Sequence, residues 1–78
     1  MLTKREVLDA ANRGEGALGK AADDEPVFVL RAQDIHAPDL VEKWAIWCRA
    51  HQAPNDKLRE AHGIADAMRA WPGRRQPD

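Results

Sequence analysis

Apolar residues recur at Leu40, Val41, Trp44, Ala45, Trp47 and Cys48, and again at Leu58, Ala61, Ile64, Ala65, Met68 and Trp71. Steps of three and four place each set on one face of a helix. Pro38 suits the first position of the earlier helix, which the pattern carries to about His51. Ala53-Pro54-Asn55 interrupts it, Asn55 or Asp56 is placed to cap the next helix, and Pro72-Gly73 stops that one. Two helices joined by so short a connection predict an antiparallel hairpin. Upstream, Thr3 followed by Glu6 spells a capping box, in which the hydroxyl and the carboxylate each satisfy a backbone amide. A narrow stripe of Val7, Leu8, Ala10 and Ala11 follows, and Gly14 is suited to the left-handed turn after a helix over about 4–13. Residues 14–25 hold three of the five glycines and read as a flexible loop with room for a short turn of helix at its end.

Pro26 then opens Val27-Phe28-Val29-Leu30, a β-branched and aromatic run that predicts a short, fully buried strand. The expected fold class is therefore α+β and mostly helical: a short N-terminal helix, a Gly-rich loop, one short strand, then the helical hairpin. Residues 1–73 make one small domain, and 74–78 a loose tail. A single strand amid helices has no mate within its own chain. Each edge exposes amides and carbonyls, and a buried polar group without a partner costs about 1–3 kcal/mol. Val27–Leu30 then pairs with a copy of itself, pairs with another protein, or lies extended over the hairpin; the favoured expectation is a homodimer in which the segments of two copies form an antiparallel ribbon across a two-fold axis.

Composition narrows the functional classes. The chain has 78 residues with 12 Lys+Arg against 13 Asp+Glu, a formal net charge of -1. So balanced a chain lacks the global field that drives nonspecific nucleic-acid binding. Its length excludes a complete dinucleotide-binding fold. One cysteine excludes an internal disulfide and points to a reducing, cytoplasmic setting. No apolar run approaches the roughly 20 residues of a membrane span, and Met1–Glu6 does not open a signal peptide.

Several motifs invite a chemistry that their surroundings deny. Gly14 to Gly19 matches G-x-G-x-x-G, and Gly14 to Lys20 matches most of a P-loop. Ala21 stands where Ser or Thr would hold Mg²⁺, a helix precedes instead of a strand, and Asp23-Asp24-Glu25 would repel phosphate. The stretch reads as a hinge, and no cofactor is expected. Cys48 and His51 are three apart on one helix, with His36 and His62 able to approach, so a metal site is conceivable. Cys48 sits on the apolar stripe, however, where a lone cysteine acts as a small hydrophobe, and no metal is expected. The chain has no Ser and no Tyr, and Thr3 is its only Thr, so no nucleophile with base and oxyanion hole can be assembled and no enzyme is expected. Asp34 is read as capping the turn into the second helix, and Arg31 as pairing with an acid of Asp23–Glu25.

Lys57, Arg59, Arg69, Arg74 and Arg75 give the last helix and tail some basic character, the basis for an alternative reading as a nucleic-acid-binding regulator. Asp56, Glu60 and Asp66 are interleaved with them, which is the pattern of a solvated face. Trp44 and Trp71 fall on the two stripes and are expected in the hairpin core. Trp47 lies off the centre of its stripe. It either packs under the first helix or, if exposed, anchors an interface.

The run from Gly16 through Asp34, GALGKAADDEPVFVLRAQD, and the ending Ala65–Pro72, ADAMRAWP, resemble stretches of small, functionally uncharacterised bacterial and prophage-borne proteins. The resemblance spans most of the chain and implies a single small domain of bacterial or phage origin. It carries no activity and no site residues. The expected function is that of a non-enzymatic macromolecule-binding protein acting through self-association or protein–protein contacts. Val27, Phe28, Val29, Leu30 and Trp47 are its interface.

Overall fold

The computed structural model describes residues 2–76, and these are mostly helical with almost no strand. Helix α1 spans Lys4–Asn12, α2 Gly16–Lys20, α3 Ala37–Ala50 and α4 Asn55–Ala70. The capping box at the start of α1 is complete. Thr3 Oγ1 accepts from the Glu6 amide at 3.2 Å, and the Thr3 amide donates to Glu6 Oε1 at 3.2 Å. The helix ends in a Schellman turn: Glu15 N donates to Ala10 O at 2.8 Å and Gly14 N to Ala11 O at 2.9 Å. Gly14 supplies the left-handed residue at φ 71°. This turn folds α2 directly back on α1. The two backbones approach so closely at Gly19 that a Cβ there would lie 2.7 Å from the carbonyl carbon of Gly14. The loop expected over 14–25 thus contains a five-residue helix at its start.

Helices α3 and α4 form the second packed pair. Ala45, Leu58 and Ala61 are buried between them, with Val41, Cys48 and Ala53 packed against that cluster. The first turn of α4 meets the middle and end of α3, and Arg69 near the end of α4 reaches Asp39 and Glu42 at the start of α3. The turn between the helices passes through Gln52 in the left-handed region (φ 63°) while Ala53 N closes on Cys48 O at 2.9 Å. Contrary to expectation, neither Asn55 nor Asp56 caps α4. Pro54 occupies the cap position, no side chain bonds there, and the Pro54 carbonyl accepts from the Lys57 and Leu58 amides. Asp34 does act at the entry to α3, its Oδ1 accepting from the His36 amide at 2.8 Å. Among the described residues no ion pair joins Arg31 to Asp23, Asp24 or Glu25.

Three expectations require correction. Residues 27–30 are not a buried strand. They belong to no regular element, make no backbone hydrogen bond to other described residues, and present Val27, Phe28 and Val29 to solvent. The hydrophobic run carries strand propensity, but propensity without a neighbouring edge forms no ladder. Trp44 and Trp71 are not core residues, being 50% and 59% exposed. The α3–α4 seam is filled by Ala45, Leu58 and Ala61 with Val41, Cys48 and Ala53 against them, and the indoles lie outside it. Residues 74–76 are not a loose tail. Arg75 N donates to Gln33 O at 2.7 Å and Ile35 N to Arg75 O at 3.0 Å, forming an isolated parallel bridge between Asp34 and Arg75. Arg74 Nη2 donates to Ile35 O at 2.6 Å, and His36 Nε2 lies 3.0 Å from Gln76 Oε1. The rest of the expected tail, 77–78, lies outside the described residues.

No helix of the α1–α2 pair contacts a helix of the α3–α4 pair. The radius of gyration is 13.2 Å, against about 11.5 Å for a compact chain of this length. No helix among the described residues is long and apolar enough to cross a membrane.

Candidate interaction surface

The distribution of apolar side chains is inverted. The buried hydrophobic residues are Ala37, Ala45, Ala61, Ala65 and one larger residue, Leu58. The bulk lies outside. Phe28, the only phenylalanine, is 86% exposed, Val29 75% and Trp47 61%. Large aromatic side chains dominate the energetics of contacts when covered, and a folded chain gains nothing by leaving them in water. Of the residues singled out in the sequence, Val27, Phe28 and Val29 are together in one exposed segment, Leu30 is half-buried at its end, and Trp47 stands on the outward side of α3. Trp47 does not pack under α1, because α1 touches only α2.

Sequence reasoning missed the rest of that outward side. Leu40 and Trp44 are also half-exposed and share a stripe with Trp47 at spacings of four and three. The signal was present in Trp44-Ala45-Ile46-Trp47-Cys48, five consecutive apolar residues. At about 100° per residue such a run goes once round a helix and further. One neighbouring helix cannot cover it. Val41, Ala45 and Cys48 face α4, whereas Trp44, Ile46 and Trp47 are left over.

Asp39 and Glu42 of α3 are committed within the chain. Arg69 donates to Glu42 Oε1 at 2.6 Å and to Asp39 Oδ1 at 3.0 Å, with Asp66 at 3.8 Å. The hydrogen bond from Arg69 holds the Glu42 carboxyl below its usual range, and the same bonds move the Arg69 guanidinium higher still. Sequence spacing does not show this clamp, since its partners are 27 and 30 residues apart.

The other candidate chemistries are dispersed. Among the described residues no three of the His, Cys, Asp and Glu side chains gather where they could hold a metal ion. His36 lies against Gln76, and Cys48 packs half-buried on the Ala45 cluster. In the Gly14–Lys20 stretch, the Gly14 and Glu15 amides are engaged in closing α1, and a helix, not a strand, precedes them. A hollow along α1 is bordered by Lys4, Arg5, Leu8, Asp9 and Asn12, all exposed and all on that helix, which makes it a surface groove and no cleft. No protein-family model matches the chain, and no curated protein or solved structure is similar enough to it to count as a match.

Proposed function

We propose that the chain is a small, non-enzymatic binding protein that acts through protein–protein contacts. Its pairing edge is Val27–Leu30 and its first partner is a second copy of itself. One observation carries this reading: Val27, Phe28 and Val29 of the most hydrophobic segment are solvent-exposed, and its backbone groups bond to no other backbone among the described residues. An edge of that kind is completed by another edge, and two copies of one segment meet antiparallel across a two-fold axis. The α3–α4 hairpin serves in this reading as the platform that carries Trp47. The isolated Asp34–Arg75 bridge anchors the far end of the segment to the C-terminal residues.

The nucleic-acid reading has less behind it. Arg69 is held by carboxylates and Arg74 by the Ile35 carbonyl, so these basic residues are already engaged within the chain. Light scattering on the purified chain tests the proposal. A mass that rises to that of a dimer, and a Phe28→Asp variant that stays monomeric while keeping its helical circular dichroism, is the expected result. A wild-type chain that remains strictly monomeric at ~100 μM, a concentration at which even weak association shows, overturns it.

A further inference from the structure

Residues 26–30 hang between two turns of different origin. The upstream turn closes on itself: Glu25 N donates to Ala22 O at 3.1 Å, and Ala22 N donates to Glu25 Oε1 at 3.2 Å. The downstream turn has local bonds, Asp34 N to Arg31 O at 3.0 Å and Ala37 N to Asp34 O at 3.1 Å, but it is also gripped from the far end of the sequence. We infer that residues 74–76 are a clasp that controls whether Val27–Leu30 is presented for pairing. This inference rests on the self-association reading and adds to it a control element outside the paired segment.

The clasp is built from backbone and side chain together. Arg75 N donates to Gln33 O at 2.7 Å, and Ile35 N donates to Arg75 O at 3.0 Å. Arg74 Nη2 donates to Ile35 O at 2.6 Å, and His36 Nε2 lies 3.0 Å from Gln76 Oε1. These side-chain partners are 39 and 40 residues apart. The Arg69 grip on Asp39 and Glu42 brings the entry of α3 beside the exit of α4 and so allows them to meet. The clasp is also able to open. Arg74 is half-buried, its Nε is buried without a hydrogen-bond partner, and among the described residues no carboxylate pairs with its guanidinium. A buried donor without an acceptor opposes closure, because opening returns it to water.

Ordering is the reason a shut clasp favours pairing. Val27–Leu30 makes no backbone bond to other described residues, so pairing must order every residue that is left free. Fixing the backbone of one residue corresponds to roughly a tenfold change in affinity. With the exit held at Gln33 and Ile35, fewer residues remain to be ordered, and the segment leaves its turn in one direction. Register is the second benefit. Val27, Phe28, Val29 and Leu30 are all apolar, so a slip by one residue exchanges one greasy face for another and the segment does not fix its own register. An anchored end does. Arg74 and Arg75 are therefore positioning residues, acting on the segment through Gln33 and Ile35.

The test is hydrogen exchange and light scattering on the full chain and single variants. Arg75→Pro deletes the N–H that meets Gln33 O, whereas Arg75→Ala keeps it. In dilute wild type, where the mass is that of a monomer, the Ile35 amide is expected to be protected. Arg75→Pro is expected to expose that amide, keep its helical circular dichroism and raise the dimer dissociation constant about tenfold or more. Arg75→Ala is expected to follow wild type in both readings. If Arg75→Pro loses helicity, Arg74→Ala, which removes the grip on Ile35 O, is read in its place, with a shift in the same direction. An Ile35 amide that exchanges freely in the wild-type monomer overturns the clasp. Exposure of that amide in Arg75→Pro with an unchanged dissociation constant overturns its control of pairing and leaves the self-association reading standing. Equal weakening by Arg75→Ala assigns the effect to a side chain and overturns it too. A wild type still monomeric at ~100 μM overturns self-association and the control with it, and Ile35 protection then reports on the clasp alone.

Discussion

The two helix pairs of this chain are held together by different means. The α1–α2 pair has no buried residue; its geometry comes from backbone devices, the Thr3–Glu6 capping box, the Schellman turn at Gly14 and the close approach at Gly19. The α3–α4 pair has weak caps, with no side-chain cap bond from His36 or Pro54, and depends on a seam of alanines around Leu58 and on the Arg69 clamp. A pair set by turns tolerates changes in its side chains and fails when a Cβ is added. A pair set by packing does the opposite.

Leu58→Ala should give the largest effect. Leu58 is the one bulky residue in the described core, and truncating a buried leucine costs about 2–5 kcal/mol. For a chain this small, that is a large fraction of its total stability. Urea denaturation followed by circular dichroism should show a strongly lowered midpoint. Leu8→Ala on half-exposed α1 should change it little. Equal losses from the two variants would erase the distinction between the pairs.

Gly19→Ala comes next and reverses the comparison. Alanine ordinarily favours a helix over glycine, yet here its methyl would fall 2.7 Å from the Gly14 carbonyl carbon and 3.2 Å from the Ala11 Cα. Both obstacles are backbone, so α2 must shift away, at a cost of about 1–3 kcal/mol. Hydrogen exchange should show faster exchange at the Gly14 and Glu15 amides and unchanged protection in α4. Slower exchange in α2 would mean that the two backbones are farther apart than described.

The same contrast explains what the sequence disclosed. Local devices were legible: Thr3, Glu6 and Gly14 mark α1, and Pro38 and Pro72-Gly73 bracket the later helices close to their observed ends. Contacts between distant residues were not. A hydrophobic run such as Val27–Leu30 has the same composition whether or not a neighbouring edge exists, so propensity gave a strand where the chain supplies no partner. A tryptophan at helical spacing looks like core until the neighbouring helix proves to be lined with alanine. That lining was itself readable in Ala61 and Ala65. For the interaction surface, the residue types were visible in Phe28 and Trp47. The breadth of the α3 stripe emerged only when the inward side had been assigned to Val41, Ala45 and Cys48.

Acid should act on both pairs, by the smallest effect of the three. Each pair carries one carboxyl held below its usual range, Glu6 by its hydrogen bonds with Thr3 and Glu42 by its hydrogen bond with Arg69. A carboxyl with a lowered folded value binds fewer protons in the folded chain than in the unfolded one. Its stabilisation is therefore complete above the ordinary carboxyl value of 4.5 and is lost as pH falls below that and through the lower folded value. Both groups face solvent, so salt should flatten the effect. Replacing Arg69 with Gln removes the hydrogen bond that lowers Glu42, while Thr3 and Glu6 are untouched. The pH dependence of the denaturation midpoint should then shrink but not vanish, and the remainder should disappear in Glu6→Gln/Arg69→Gln, which removes the carboxyl that the Thr3 hydroxyl and amide both hold. A double variant that keeps the full acid response would place the responsible carboxyls elsewhere, and the two clamps would then be features of geometry without weight in stability.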